Sequence, residues 1–264
     1  MTRKLGLLLL IFLAFTSCRS DNKATAPTVG IGGSSTAAPQ VSGNITVFAA
    51  ASLTESFTNE QATLKTEQPG VGVTYNFAGS GTLVTQIQQG APADVIATAD
   101  TASMQKLVDA GLVEAPTTFV HNRLQIITAP GNPKNIKTVA DLARSDLTVV
   151  LCDSTVPAGK YAAQVLSGAG VTVNAKSLET DVKSAVARIT SGEADASIVY
   201  VTDVTAAGGK AAGVDIPDAQ NVIADYPIAL VKASAHKEAA QAFIDAIVSG
   251  SGQDALKKAG FITS

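Results

Sequence analysis

Val47-Phe48-Ala49-Ala50-Ala51-Ser52-Leu53 is the stretch on which the reading of the fold turns. Asn44 to Phe48 alternates and is rich in β-formers, three alanines then let the chain bend sharply, and Leu53, Phe57 and Leu64 recur at helical spacing. A buried strand therefore runs through a small-residue turn into a helix, and Ser52 falls at the N-cap. A helix N-terminus carries unpaired N–H groups and the positive end of the helix dipole, so a hydroxyl beside it makes a ready anion site. A single serine so placed is explained by capping its own helix. Phe77-Ala78-Gly79-Ser80-Gly81-Thr82-Leu83 repeats the arrangement, with a strand ending at two glycines that flank Ser80 and a helical pattern after it.

Outward from these two turns, β-rich segments alternate with helical ones, the pattern of parallel sheets with helical crossovers. Strands are expected near 44–49, 71–77, 94–98, 123–129, 147–152, 171–177, 195–201 and 226–232. Helices are expected at about 52–66, 80–89, 101–110, 138–143, 157–168, 181–191, 202–208, 236–248 and 252–259. Near Thr117 to Arg123 and Ala224 to Pro227 the chain enters a strand without a helical approach, which marks two crossings between lobes. The expected architecture is α/β with two lobes, mainly parallel sheets flanked by helices. Lobe 1 comprises residues 44–122 and 226–264, and lobe 2 comprises residues 123–225. Ligands of open α/β sheets lie beyond the carboxyl ends of strands, here in a cleft between the lobes.

Three further elements point toward that cleft. Leu151-Cys152-Asp153 closes a strand and Thr155-Val156-Pro157-Ala158-Gly159-Lys160-Tyr161 opens a helix with proline in its first turn, presenting main-chain N–H groups. Gly159-Lys160 does not complete a phosphate-binding loop, because Ser154 stands at the first glycine position and Tyr161 replaces Ser/Thr. Glu179-Thr180-Asp181-Val182-Lys183 starts another helix, and Val182 can offer its N–H only if the Asp181 carboxylate caps its own helix and points away. Ala196-Ser197-Ile198-Val199-Tyr200 is a strand whose terminal phenol reaches either the cleft or its rim.

Catalysis has little support. Gly79-Ser80-Gly81 lacks the glycine spacing of a nucleophile elbow, and no histidine is placed to serve Ser80 as base. Cys152 reads as a small apolar residue at a strand end. A hydrolase using Ser80 or Cys152 is thus the weaker alternative. His121 and His236 lack companions at ligand spacing, so no zinc-type site is expected. With 16% charged residues, a net charge of -3 and no tryptophan, there is no electrostatic footprint for nucleic acid.

The N-terminus carries Arg3 and Lys4 before an apolar run from Leu5 to Phe15, the layout of a signal peptide over residues 1–17. The run is short of the ~20 apolar residues that span a bilayer. It ends at Phe15-Thr16-Ser17-Cys18, which resembles a bacterial lipobox with Phe15 in place of the usual leucine. Cys18 and Cys152 are the only cysteines, so acylation of Cys18 leaves no disulfide. From Cys18 to residue 43 the chain is rich in Ala, Thr, Ser, Gly and Pro, a flexible linker that holds the body off a membrane.

Taken in order, Phe48-Ala-Ala-Ala-Ser-Leu53, Phe77-Ala-Gly-Ser-Gly-Thr-Leu83, Gly90-Ala-Pro-Ala-Asp94, Ala97-Thr-Ala-Asp100, Val156-Pro-Ala-Gly159, Asp181-Val182, Ile198-Val-Tyr200 with Asp203, Tyr226-Pro227 and Gly260-Phe261 resemble the molybdate-binding proteins of ABC transporters, of the type II periplasmic binding fold. The resemblance implies an oxyanion held without a cationic side chain: by the hydroxyls of Ser52 and Ser80, main-chain N–H groups including those of Ala158 and Val182, and the phenol of Tyr200. Gly79 and Gly81 stand where that family commonly has serines. It also implies a receptor and no enzyme. That receptor is monomeric, extracytoplasmic and lipid-anchored to the cell membrane. It needs no cofactor and hands molybdate, or tungstate, to permease subunits; molybdenum is met only as the bound oxyanion. A sulfate receptor is the alternative within the class. A regulator's sensing domain fits poorly with the export signal.

Overall fold

The computed structural model describes residues 41–263; the export segment, Cys18 and the linker up to residue 40 lie outside the described residues. In chain order the elements are β1 (Gly43–Ala50), a 3-10 turn (Ala51–Leu53), α1 (Thr54–Glu67), β2 (Val71–Ala78), α2 (Ser80–Gln88), β3 (Val95–Ala97), α3 (Thr101–Asp109) and β4 (Thr117–Thr128). There follow a 3-10 turn (Val139–Ala143), β5 (Val150–Cys152), α4 (Pro157–Gly168), β6 (Ser177–Glu179), α5 (Val182–Thr190), β7 (Ala196–Tyr200) and α6 (Val201–Ala207). A short 3-10 turn (Gly208–Lys210), β8 (Ala212–Asp215), β9 (Ile223–Leu230), α7 (Lys237–Ser249) and α8 (Ser251–Ala259) complete the chain.

The main sheet runs β2-β1-β3-β9-β4-β7, with β8 added beside β4, and β5 pairs with β6 separately. Strands β1–β2, β1–β3 and β5–β6 are parallel, as alternating strands and helices require. The pairs β3–β9, β4–β9, β4–β7 and β4–β8 are antiparallel, so the architecture is mixed where mainly parallel sheets were expected. The cause lies in the two crossings. They are neighbouring strands that run opposite ways, with Thr117 opposite Ile228 and Arg123 opposite Ile223. Beyond Arg123 the same β4 continues, pairing from Leu124 to Thr128 with β7 on one side, and from Gln125 with β8 on the other.

Smaller corrections have local causes. The strand expected at 171–177 is displaced to Ser177–Glu179: Val171 and Val173 pack against the core without joining a ladder. Strand β8 was not anticipated, because Ala-Gly-Val-Asp offers no apolar run. Strand β1 also begins at the last residue of the expected linker, where Gly43 N–H donates to Gly70 O at 3.0 Å and Gly43 pairs with Val71.

Leu53, Phe57 and Leu64 are all buried, so the helical spacing that followed Ser52 does mark the core face of α1. Phe57 centres an aromatic group with Tyr75, Phe119 and Phe243 at ring separations of 5.9–6.2 Å. A second apolar cluster, with Phe48, Leu83, Ile96, Met104 and Leu107, fixes α2 and α3 to the sheet. Burial on this scale anchors the strand ends whose turns carry the serines.

Candidate functional site

Ser52, Ser80, Ala158, Val182 and Tyr200 come from five separate segments and all line one small cavity, whose empty space, mouth included, is about 210 Å³. The remaining lining residues are small or apolar, among them Ala51, Gly79, Ala99 and Pro157, and no charged side chain lines it. Helix starts converge there: the turn at Ala51, α2 at Ser80, α4 at Pro157 and α5 at Val182, with α6 following directly on Tyr200. The first three have no side-chain cap, which leaves their leading N–H groups and dipoles open to the cavity.

Neither serine caps its own helix. Ala50 holds the N-cap of the first turn and Ser52 sits within it, contrary to the expected N-cap position; its Oγ lies 2.9 Å from the Tyr226 hydroxyl. Gly79 holds the N-cap of α2 and Ser80 is its first residue, with Ser80 Oγ accepting from Ala99 N–H at 3.0 Å. The Asp181 carboxylate accepts from Ser184 N–H at 2.9 Å and from Ser184 Oγ at 2.8 Å, so it does satisfy its own helix. Tyr200 is 1% exposed and its phenol has no hydrogen-bond partner among the described residues, a costly state for a buried donor unless a ligand accepts from it. Burial pushes the Tyr200 pKa well up, so the phenol keeps its proton at every physiological pH.

Charges near the cavity are paired with one another. Lys183 Nζ lies 2.6 Å from Glu55 Oε2 and 2.9 Å from Asp203 Oδ1, and Asp203 Oδ2 accepts from Tyr200 N–H at 3.1 Å. Lys160 Nζ reaches Asp100 Oδ2 at 3.3 Å, while Asp100 Oδ1 caps Ser103 N–H. Because Lys160 does not line the cavity and its ammonium is paired with the buried Asp100, Lys160→Ala is expected to weaken anion binding by less than about 5-fold in calorimetric titration.

The chemistry for hydrolysis is not assembled around either nucleophile. Burial, then the surrounding carboxylates, push the Cys152 thiol far up, so no thiolate forms. His121 pairs with Asp225 at 2.6 Å and His236 stands at the exposed start of α7; neither lines the cavity to serve Ser80 as base.

Gly79 records a close approach. A Cβ at this position would stand 2.7 Å from the Thr180 carbonyl oxygen, across from α2. Gly79→Ala is therefore expected to force Gly79 and Thr180 apart and lower anion affinity by roughly 5- to 50-fold, with little change in the thermal midpoint of the free protein. Equal affinity in the two proteins would show the contact to be slack. Tyr226 and Ala99, which engage the two serines, were not singled out as site residues. A phenol inside the apolar run of β9 was the one available signal, since a buried tyrosine hydroxyl needs a partner; nothing marked Ala99.

The family model of bacterial extracellular solute-binding proteins matches residues 45–262. The molybdate-binding protein ModA of Mycobacterium tuberculosis is 38% identical over 254 residues, spanning 96% of this chain and 94% of its own length. Among solved structures, the periplasmic molybdate-binding protein of Azotobacter vinelandii has a TM-score of 0.74 at 21% identity, over 83% of this chain and 99% of that one. The sulfate-binding protein SubI of M. tuberculosis has a TM-score of 0.75 at 23% identity, over 83% of this chain and 86% of that one, so the fold alone does not select the anion. With the match running from β1 to the end of the described body, the chain belongs to the bacterial extracellular solute-binding proteins and, within them, to the molybdate-binding ModA family.

Proposed function

We propose that this protein captures molybdate, and equally tungstate, outside the cytoplasm and delivers it to the permease of an ABC transporter. The observation that carries the reading is the donor-only cavity: three hydroxyls and several helix N-termini with no charged side chain lining it. A ligand for such a site must accept hydrogen bonds on every side and carry negative charge. Molybdate at neutral pH does both. Hydrogenphosphate brings a proton that meets only donors, and an unsatisfied pairing of that kind is a strong basis for rejection. No catalytic step and no resident cofactor enter this reading. The ligand-binding roles of Ser52, Ser80, Ala158, Val182 and Tyr200 belong to the proposal. So does the division into a lobe of residues 44–122 and 226–264 and a lobe of residues 123–225, which exchange open and closed states about β4 and β9.

The deciding experiment is calorimetric titration of the body from residue 41 with molybdate, tungstate, sulfate and phosphate. Tight binding of the first two, with phosphate silent, is expected. Sulfate binding tighter than molybdate would replace the reading by a sulfate receptor.

Cys18 is the proposed membrane tether, with the protein acting as a monomer at the cell surface or in the periplasm. Cys18→Ala is expected to release the protein from the membrane fraction or arrest its maturation. Equal membrane retention of the variant would remove the tether.

A further inference from the structure

Ser80 has its role imposed by the main chain. Ala99 N–H donates to its Oγ at 3.0 Å, and an amide N–H never accepts, so the proton of Ser80 is left for the cavity. Ser52 has no such main-chain donor. Its Oγ meets the Tyr226 hydroxyl at 2.9 Å, and by distance alone either can donate.

The surroundings of Tyr226 decide the direction. Its side chain is 0% exposed, held edge-on between Tyr200 and Phe261 at ring separations of 5.8 Å and 5.3 Å. The Asn122 amide, also 0% exposed, stands beside the Tyr226 hydroxyl. Asn122 Oδ1 accepts from Arg123 N–H at 2.9 Å, which puts the Asn122 amino group on the other side, where it donates to Thr202 Oγ1 at 2.9 Å. An amino group only donates, and its second hydrogen is available to the Tyr226 oxygen. Tyr226 then has its own proton free, and Ser52 Oγ at 2.9 Å is the acceptor it reaches, since the neighbouring Tyr200 phenol makes no hydrogen bond to it.

We infer that Tyr226 is a positioning and specificity-determining residue: by donating to Ser52 Oγ it obliges Ser52 to donate to the bound anion, so the site rejects oxyanions that carry a proton. The inference rests on the proposed function and deepens it. Asn122, Tyr226, Ser52 and the anion form a chain in which each hydroxyl oxygen receives one hydrogen bond and passes one on. Ser80 reaches the same state through Ala99. Ser52 without Tyr226 is free to turn its oxygen toward a ligand's O–H group.

The test uses Tyr226→Phe, which keeps the packed ring and removes only the hydroxyl, alongside Ser52→Ala and the double variant. Each is titrated with molybdate and with hydrogenphosphate at pH 8. The wild-type titration reads the proposed function by itself; if sulfate is the anion it binds, sulfate replaces molybdate in every arm and the inference is still read. Tyr226→Phe is expected to weaken molybdate by about 3- to 10-fold and to narrow the molybdate-to-phosphate ratio by roughly 10-fold or more. In the Ser52→Ala background the same substitution is expected to narrow the ratio no further, the signature of two residues acting as one unit. Equal loss for both anions, or additive losses in the double variant, would reduce Tyr226 to a packing residue and overturn the inference. If Tyr226→Phe does not fold, Asn122→Leu reads the same chain, because a phenol with no donor beside it is free to accept from Ser52. An unchanged ratio in that variant would also overturn it.

Discussion

Ser52→Ala combined with Ser80→Ala is expected to reduce molybdate affinity by roughly 10²- to 10⁴-fold, the largest binding effect anticipated for this protein. A hydrogen bond to a charged partner contributes about 1.5–3 kcal/mol, so each single change should cost about 10- to 150-fold. The hydrogen bonds behind the serines separate the two changes in a second respect. Ser80→Ala removes the acceptor of the buried Ala99 N–H, and an orphaned buried donor costs about 1–3 kcal/mol of folding free energy. Ser52→Ala strands only the Tyr226 hydroxyl, beside which Asn122 and Tyr200 remain. Thermal denaturation should accordingly place the Ser80 variant below the Ser52 variant, while calorimetry shows both impaired. A dispensable serine together with an indispensable Lys160 would overturn the site and point to a salt-bridged anion.

Lys183→Met is expected to give the largest loss of stability, about 3–5 kcal/mol, because it leaves a buried carboxylate without its cation. Asp203 is 0% exposed in its side chain, and Lys183 Nζ is its ion-pair partner at 2.9 Å. Burial already raises the Asp203 pKa, against the opposing pull of Lys183 and of the Tyr200 N–H. For Lys183 the balance goes the other way: burial pulls its pKa down, but the charges of Asp203 and Glu55 outweigh that and raise it.

The pH dependence follows from the sign. A carboxyl whose folded pKa lies above its unfolded value favours folding most below the unfolded pKa, and this contribution is lost as pH rises through the folded pKa. Without Lys183 the folded pKa of Asp203 rises further and that window widens. Lys183→Met should therefore regain stability relative to wild type as pH falls from neutrality toward the carboxylate range. Urea denaturation at several pH values checks this, and a pH-independent difference would mean that Asp203 does not titrate in the variant. Binding should suffer too, since Asp203 holds the backbone of Tyr200 where its phenol enters the cavity.

Local information was enough for most of the framework. The starts of α2, α4 and α5 were legible because glycine, proline and an Asp cap act within a turn of the positions they set. Each of the five cavity residues sits at a strand end or helix start, but it was the resemblance to the molybdate-binding proteins that singled them out as one set. Hydrogen bonds between distant segments were not legible. Ser52 and Tyr226 are separated by 174 residues, and no pattern near either announces the other. The Lys183–Asp203 pair was hidden for a different reason, since both residues look like surface charges in amphipathic helices until α5 and α6 pack together. The antiparallel pairing of β4 with β9 escaped for a third reason. Alternation identifies strands, but the direction of a neighbour depends on how the connections close.

The bare main chain at Gly79 makes the cavity a gauge. With no side chain between it and the Thr180 oxygen, further approach of the two segments is stopped by backbone against backbone, a contact that no rotamer change can relax. This contact limits how closely the two segments approach, and the guest has to fit the space that remains. An oxyanion with short bonds, such as sulfate, is expected to reach the donors on both sides less well than molybdate or tungstate, whose bonds are longer. Size discrimination is then expected to depend on the main chain at Gly79 as well as on the lining side chains. Widening the gauge by one methyl group, as in Gly79→Ala, should cost sulfate more than molybdate.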